Sequence, residues 1–193
     1  MTNRLFEPTT IAGLKLKNHV AMAPLTRQRA DRLGVPQPFV ADYYSQRSGA
    51  GLVIAEGTQP SFAGQGYCRT PGIHTAEQVA AWKGVTAAVH AKGAKMFLQM
   101  MHCGRIAHPL NRQIDDAPVA PSAVKPAGKM WTDQEQMQDF PVPHALEISE
   151  RLLQRHASLE PANARVSAPS HLRPGRIDPL RDPPVDVLVR EHE

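Results

Sequence analysis

Three apolar segments with polar tips, at residues 19–26, 51–58 and 95–102, constrain this chain more than any other feature in it. Each is a short continuous apolar run, the pattern of a strand buried on both faces in a parallel sheet. Each leaves the core carrying hydrogen-bonding groups, with tips at Pro24, Gly57 and Gln99. The tips are spaced by roughly the thirty to forty residues that one strand-plus-helix unit of a β/α barrel occupies, and such barrels place their chemistry at the C-terminal ends of the strands. Eight units need about 250 residues, whereas this sequence of 193 residues shows three. The fold class expected is therefore α/β, the first three βα units of a TIM (β/α)8 barrel over residues 1–150, followed by an irregular stretch over 151–193.

The connections support that class. Residues 10–16 alternate apolar and polar around Gly13, which suits a short hairpin ahead of the first barrel strand. Phe39, Val40, Tyr43 and Tyr44 fall on one face of a first helix, with Gly49 expected in its C′ position. The run Thr75-Ala76-Glu77-Gln78 fits a capping box, and Val79, Trp82, Val85 and Val89 then repeat at helical spacing until Gly93. A helix over 76–92 between strands near 51–56 and 95–101 is a right-handed βαβ unit. Beyond Gly104, the prolines at 109, 118, 121 and 126 predict a long loop without regular structure, and residues 144–150 read as the lead into a third helix.

From Arg151 the composition changes: no Lys and no aromatic residue, with seven Arg and six Pro. Such a segment lacks the apolar residues for a core of its own. It reads either as a natural disordered tail or as the product of a shifted reading frame, since Arg, Pro, Ala and His are what a GC-rich gene yields out of frame. The nucleotide sequence after the codon for Glu150 decides between the two.

Composition also narrows the function. The net charge of +4 is scattered without a basic block, so no nucleic-acid partner is expected. No apolar run is long enough to span a bilayer and the N-terminus has no signal-peptide core, so no membrane partner and a cytoplasmic location are expected. Cys68 and Cys103 are too few for a disulfide framework. With His102 and His108 they lack the paired spacing of a zinc site, so no metal is expected.

Four blocks, Met22-Ala23-Pro24-Leu25-Thr26-Arg27, Tyr43-Tyr44-Ser45-Gln46-Arg47, Ile54-Ala55-Glu56-Gly57-Thr58 and Leu98-Gln99-Met100-Met101-His102-Cys103-Gly104-Arg105, occur in an order that resembles the Old Yellow Enzyme group of FMN-dependent ene-reductases, in particular the bacterial N-ethylmaleimide and nitrate-ester reductases. The resemblance runs from Leu5 to about Glu150. It implies FMN as cofactor, NAD(P)H as reductant and a small-molecule activated alkene as substrate. It also implies that the main chain of Ala23, Pro24 and Leu25 lies against the flavin, that Thr26 donates to the flavin C4 carbonyl oxygen, that Gly57 leaves room for the ring edge, and that Gln99 meets the pyrimidine edge. Tyr67 and Met101 would border the substrate pocket, with Met101 standing where relatives usually carry Trp. The family's strand-four His-x-x-Asn or His-x-x-His pair and its proton-donating Tyr have no counterpart in register here, so no catalytic residue is assigned.

The first reading is thus an ene-reductase present as a truncated chain. The second is a non-catalytic fragment or pseudo-enzyme that acts through a partner or self-associates through an open sheet edge. A third, on composition alone, is an arginine-rich tail that binds an acidic partner. Limited proteolysis should cut within residues 151–193 before it cuts within the first 150 residues; the reverse order would contradict the reading of the tail.

Overall fold

The computed structural model describes residues 4–147, so the expected tail and the end of the expected third-helix lead lie outside the described residues. The chain opens with an antiparallel hairpin of β1 (Thr9–Ile11) and β2 (Leu14–Leu16). Its two turn residues, Ala12 and Gly13, have φ of 48° and 83°, the paired positive values that a tight hairpin turn requires.

A parallel sheet follows, built from β3 (Ala21–Met22), β4 (Leu52–Thr58) and β5 (Lys95–Met100) in that spatial order. The helices α1 (Phe39–Ser45) and α2 (Ala76–His90) form the two crossovers. Strand β3 is shorter than the apolar segment at 19–26 from which it forms. Pro24 has no N–H to give to a ladder and restricts Ala23 before it, so the chain leaves the sheet after Met22.

Paired residues in a parallel sheet share a face, which sorts the side chains. Met22, Val53, Ala55, Met96 and Leu98 belong to the core shared with α1 and α2. Trp82 and Val89 of α2 are fully buried there, and Tyr44 of α1 packs its ring 6.2 Å from that of Trp82. The opposite face carries Ile54 and Phe97, and Phe97 is 44% exposed. The sheet is therefore covered on one side.

Helix α2 starts as the sequence predicts. Thr75 Oγ1 accepts from Gln78 N–H at 3.3 Å while Gln78 Oε1 accepts from Thr75 N–H at 3.1 Å, which satisfies two amides that the first turn leaves open. Gln78 does more than cap: its Nε2 donates to Leu33 O at 2.8 Å and ties the loop after β3 to the helix. The chain leaves α2 through Gly93 at φ 74°.

Three further expectations are corrected. Helix α1 ends at Ser45 and Gly49 does not adopt a left-handed C′ conformation, because a succession of tight turns, Ser48 N–H to Ser45 O and Ala50 N–H to Arg47 O, carries the chain out of the helix. The stretch after Gly104 is not a bare loop. It contains the hairpin β7 (Lys129–Trp131) with β8 (Met137–Asp139), and a parallel pair of β6 (Val119–Ala120) with β9 (His144–Ala145). The expected lead into a third helix is thus a strand at His144–Ala145. The prolines flank these two- and three-residue strands without interrupting them, which a search for longer periodic windows passes over.

Among the described residues no helix is long and apolar enough to cross a membrane. His74, which leads into α2, has both ring nitrogens buried without a hydrogen-bond partner, its ring edge-on to Phe62 at 4.3 Å. Burial pulls its pKa down to about 4.

Two outcomes follow from this packing. Replacing Trp82 with Ala should lower unfolding free energy in urea by about 3–5 kcal/mol, and Trp82→Phe by less, mainly through loss of the 3.0 Å bond from Nε1 to Gly72 O. Because His74 is held neutral in the fold but protonates near 6.5 when unfolded, its contribution weakens as pH falls from about 6.5 toward 4. The stability difference between the unaltered chain and His74→Leu should therefore shift toward the variant over that window. A pH-independent difference would show that His74 does not titrate this way.

Candidate functional site at the C-terminal edge of the sheet

The residues singled out from sequence stand along one edge. Gly57 and Gln99 are partners in the β4–β5 ladder, and Ala23 to Thr26 leave β3 at the same end. Ala23, Leu25, Thr26 and Gln99 are exposed, Pro24 is half-buried and Gly57 is buried. Among the described residues neither the Thr26 hydroxyl nor the Gln99 carboxamide has a protein hydrogen-bond partner, so a donor–acceptor pair of groups faces outward beside accessible main chain. Those groups fit a planar ligand with a polar edge that presents both donors and acceptors, as the flavin pyrimidine does.

Gly57 makes room for a side chain of the protein itself. A Cβ there would lie 2.6 Å from Sδ and Cε of Met101, so the protein group that needs the missing side chain is the Met101 thioether. Met101 is held in place by its N–H, which donates to Thr58 O at 3.0 Å. Tyr67 is 40% exposed in the loop between β4 and α2. That loop is fixed from beneath by the buried Gln59, whose Nε2 donates to Thr70 O at 3.1 Å and whose Oε1 lies 3.0 Å from the Thr70 hydroxyl.

Sequence reasoning missed Glu56. It is 3% exposed, and the β4–β5 register shifts between Ala55 and Gly57, leaving Glu56 without a ladder partner. Its freed N–H donates to Tyr44 Oη at 3.0 Å, Tyr44 Oη lies 3.3 Å from Glu56 Oε1, and Glu56 Oε2 accepts from Arg27 N–H at 2.8 Å. Burial raises the pKa of Glu56, opposed by the main-chain amides of Arg27 and Gln28. Burial, with the Glu56 charge, likewise raises that of Tyr44. The signal available in the sequence was an acid inside an apolar strand, a placement that demands a partner.

A cleft of about 590 Å³ opens beyond Thr26, between the 28–39 loop, Cys68 and Arg69, and the β7–β8 turn. Asp133 bridges Arg32 at 3.0 Å and Arg69 at 2.5 Å across it. Gln28, Arg69 and Glu135 line this cleft with left-handed φ of 54°, 55° and 59°, a strained conformation for residues with a side chain. Cys68 at its base and Cys103 nearer β5 are free thiols whose pKa values burial raises, which keeps both protonated. His102 accepts from Gly104 N–H at 3.1 Å through Nδ1, and burial, with Arg112 nearby, lowers its pKa.

The chain is similar to known proteins in sequence and in fold. The chain is 44% identical over 128 residues to 12-oxophytodienoate reductase 7 of rice (Oryza sativa subsp. japonica), covering 66% of this chain and 32% of that protein. It is 48% identical over 108 residues to an NADP-dependent oxidoreductase of Aspergillus flavus, covering 55% and 29% respectively. Among solved structures it superposes on morphinone reductase in complex with tetrahydroNAD with a TM-score of 0.71 and 42% identity. With the Old Yellow Enzyme homologue of Zymomonas mobilis the values are 0.73 and 40%, and the aligned parts cover 80% of this chain and 43% of that one. The chain thus spans about a third of the length of the curated relatives it matches. Residues 4–152 match the NADH:flavin oxidoreductase / NADH oxidase family. Because that match covers most of the sequence, this chain belongs to the NADH:flavin oxidoreductase / NADH oxidase family.

Proposed function

We propose that this chain supplies the pyrimidine-binding side of an FMN site in an ene-reductase. When bound, FMN would accept hydride from NAD(P)H and pass it to the β-carbon of an electron-poor alkene such as an enone, maleimide or nitro-olefin. The observation that carries the reading is the juxtaposition of unpartnered Gln99 with Gly57, one strand from the exposed 23–26 main chain. In this reading Thr26 donates its hydroxyl to the flavin C4 carbonyl oxygen, where negative charge grows on reduction. Gln99 would donate and accept at the pyrimidine edge and fix the orientation of the ring. Ala23, Pro24 and Leu25 would offer main chain at van der Waals distance from the ring plane. Met101, resting on Gly57, and Tyr67 would set the width of the substrate space; a thioether is softer than a rigid aromatic wall and admits bulkier alkenes.

The second reading, association of this chain with a partner or with itself in a cytoplasmic setting, draws support from a different observation. Strands β3 and β5 are both edges among the described residues, and Phe97 and Ile54 lie on a sheet face that the two helices leave open. Exposed edges and apolar faces of this kind favour pairing with another chain. Sedimentation of the purified protein distinguishes the cases by oligomeric mass.

The 193-residue chain alone should bind FMN weakly and should not consume NADPH with an enone faster than free flavin does. Tight binding needs a phosphate clasp and an enclosed pocket, and a carbonyl clamp with a proton donor is needed for turnover. Neither set is assigned to residues of this sequence. Turnover at roughly 1 per second or more would overturn the proposal that further chain is required. Replacing Thr26 with Val and Gln99 with Leu should weaken whatever FMN binding is measured by flavin fluorescence, each by about tenfold.

A further inference from the structure

We infer that Glu56 and Tyr44 are positioning residues that hold the turn after Thr26 in place for the flavin, an inference that rests on the FMN reading of this edge. Residues 23–29 belong to no helix or strand, yet they carry the groups proposed to face the ring. Their path is fixed from two sides: Arg27 N–H donates to Glu56 Oε2 at 2.8 Å, and Ala30 N–H donates to Arg69 O at 3.1 Å. Gln28 takes a left-handed φ of 54° directly after Arg27. Such a reversal turns successive amides toward one anion, and the Arg27 and Gln28 amides both favour the charged form of Glu56.

The β-bulge explains how an acid in a strand comes to do this. With no ladder partner at Glu56, the backbone turns its side chain out of the alternation and toward α1. There Tyr44 takes up both the freed amide and the first carboxylate oxygen. Tyr44 is 1% exposed and packed against Trp82, so the carboxylate is clamped to the hydrophobic core. The next residue along β4 is Gly57, in register with Gln99. A single buried carboxylate thereby sets the spacing between the Thr26 turn and the Gly57–Gln99 pair. The network uses none of the groups proposed to touch FMN, of which Ala23, Leu25, Thr26 and Gln99 are exposed and Pro24 is half-buried.

The test uses the full chain in three forms besides the unaltered one: Glu56→Ala, Glu56→Gln and Tyr44→Phe. Amide hydrogen exchange by NMR reads the turn directly. In Glu56→Ala the Arg27 and Gln28 amides should exchange at least about tenfold faster while amides of α2 keep their rates. Glu56→Gln, which keeps the shape and one acceptor, should restore much of the protection, and Tyr44→Phe should lie between. FMN titration by fluorescence quenching should show the same ranking, with Glu56→Ala weakest by about tenfold or more. In the unaltered chain the Arg27 and Gln28 amide shifts should titrate together with the Glu56 carboxyl. Unchanged exchange at Arg27 and Gln28 in Glu56→Ala, or equal acceleration throughout α2, would overturn the positioning role. A flat amide titration would do the same if Glu56→Ala does not fold. Protected amides together with FMN affinity equal in all four proteins would show that the turn is held but not for the flavin. Absence of FMN binding by the unaltered chain would instead remove the FMN reading on which the inference rests.

Discussion

Parallel strands can be joined only by crossovers that return to the starting side of the sheet, and that constraint organises everything described above. Strands β3, β4 and β5 all point the same way, so every strand-to-helix turn emerges at one edge. Residues far apart in sequence, Thr26, Gly57 and Gln99, become neighbours along that edge with no contact of their own required. The same constraint puts both crossover helices on one face. The core is consequently one-sided, and the face with Ile54 and Phe97 stays uncovered by described residues.

A one-sided core makes the buried polar groups decisive. Glu56, Thr58, Gln59, Thr70 and Gln78 are all buried and hydrogen-bonded: Glu56 to the turn after Thr26, Thr58 to Glu56 O within β4, Gln59 and Thr70 to each other in the loop after β4, and Gln78 to the loop after β3. Gln78 joins α2 to the loop after β3, Gln59 secures the loop bearing Tyr67, and Glu56 secures the turn bearing Thr26. An unpaired buried polar group costs about 1–3 kcal/mol, so each of these residues specifies one arrangement of its loop by penalising the others. The loops are irregular in backbone but not free in conformation. Left-handed Gln28, Arg69 and Glu135 around the cleft belong to the same pattern, for strained residues persist only where their surroundings over-determine them.

How far this was legible in the sequence depends on the range of the interaction responsible. The capping box at Thr75–Gln78 is local, and the chain before α2 displays it openly. The inward face of Val79, Trp82, Val85 and Val89 follows from helical period alone. The strand tips were readable because burial on both faces leaves a continuous apolar run. By contrast, the β6–β9 pair is held by partners distant in sequence, and the two- or three-residue strands of both pairs have no period to detect. The exit from α1 was misread because Gly49 carries a statistical signal for a C′ position, while the actual exit is a series of turns ending where Asn18 Oδ1 accepts from Gly51 N–H at 2.6 Å. A Cβ on Gly51 would meet Asn18 O at 2.5 Å, so the glycine that matters is the one two residues later. Met101 over Gly57 was also out of reach, since contact across neighbouring strands at a bulge depends on a register that no single segment states.

Exposure and burial are divided along this edge in a way that bears on function. The side chains proposed to meet the cofactor, Thr26 and Gln99, are exposed and unpartnered, whereas the groups that place them, Glu56, Tyr44 and Gly57, are buried. A binding group that already had a protein partner would have to break that bond before engaging a ligand, and the exchange would contribute little net free energy. A binding group on an unanchored loop would lose affinity to the ordering of its own backbone. Keeping the contact groups free while anchoring the main chain directly behind them avoids both losses. The physical importance of Glu56 therefore lies in what it leaves available: its carboxylate takes the Arg27 amide at 2.8 Å, and the hydroxyl one residue earlier remains open.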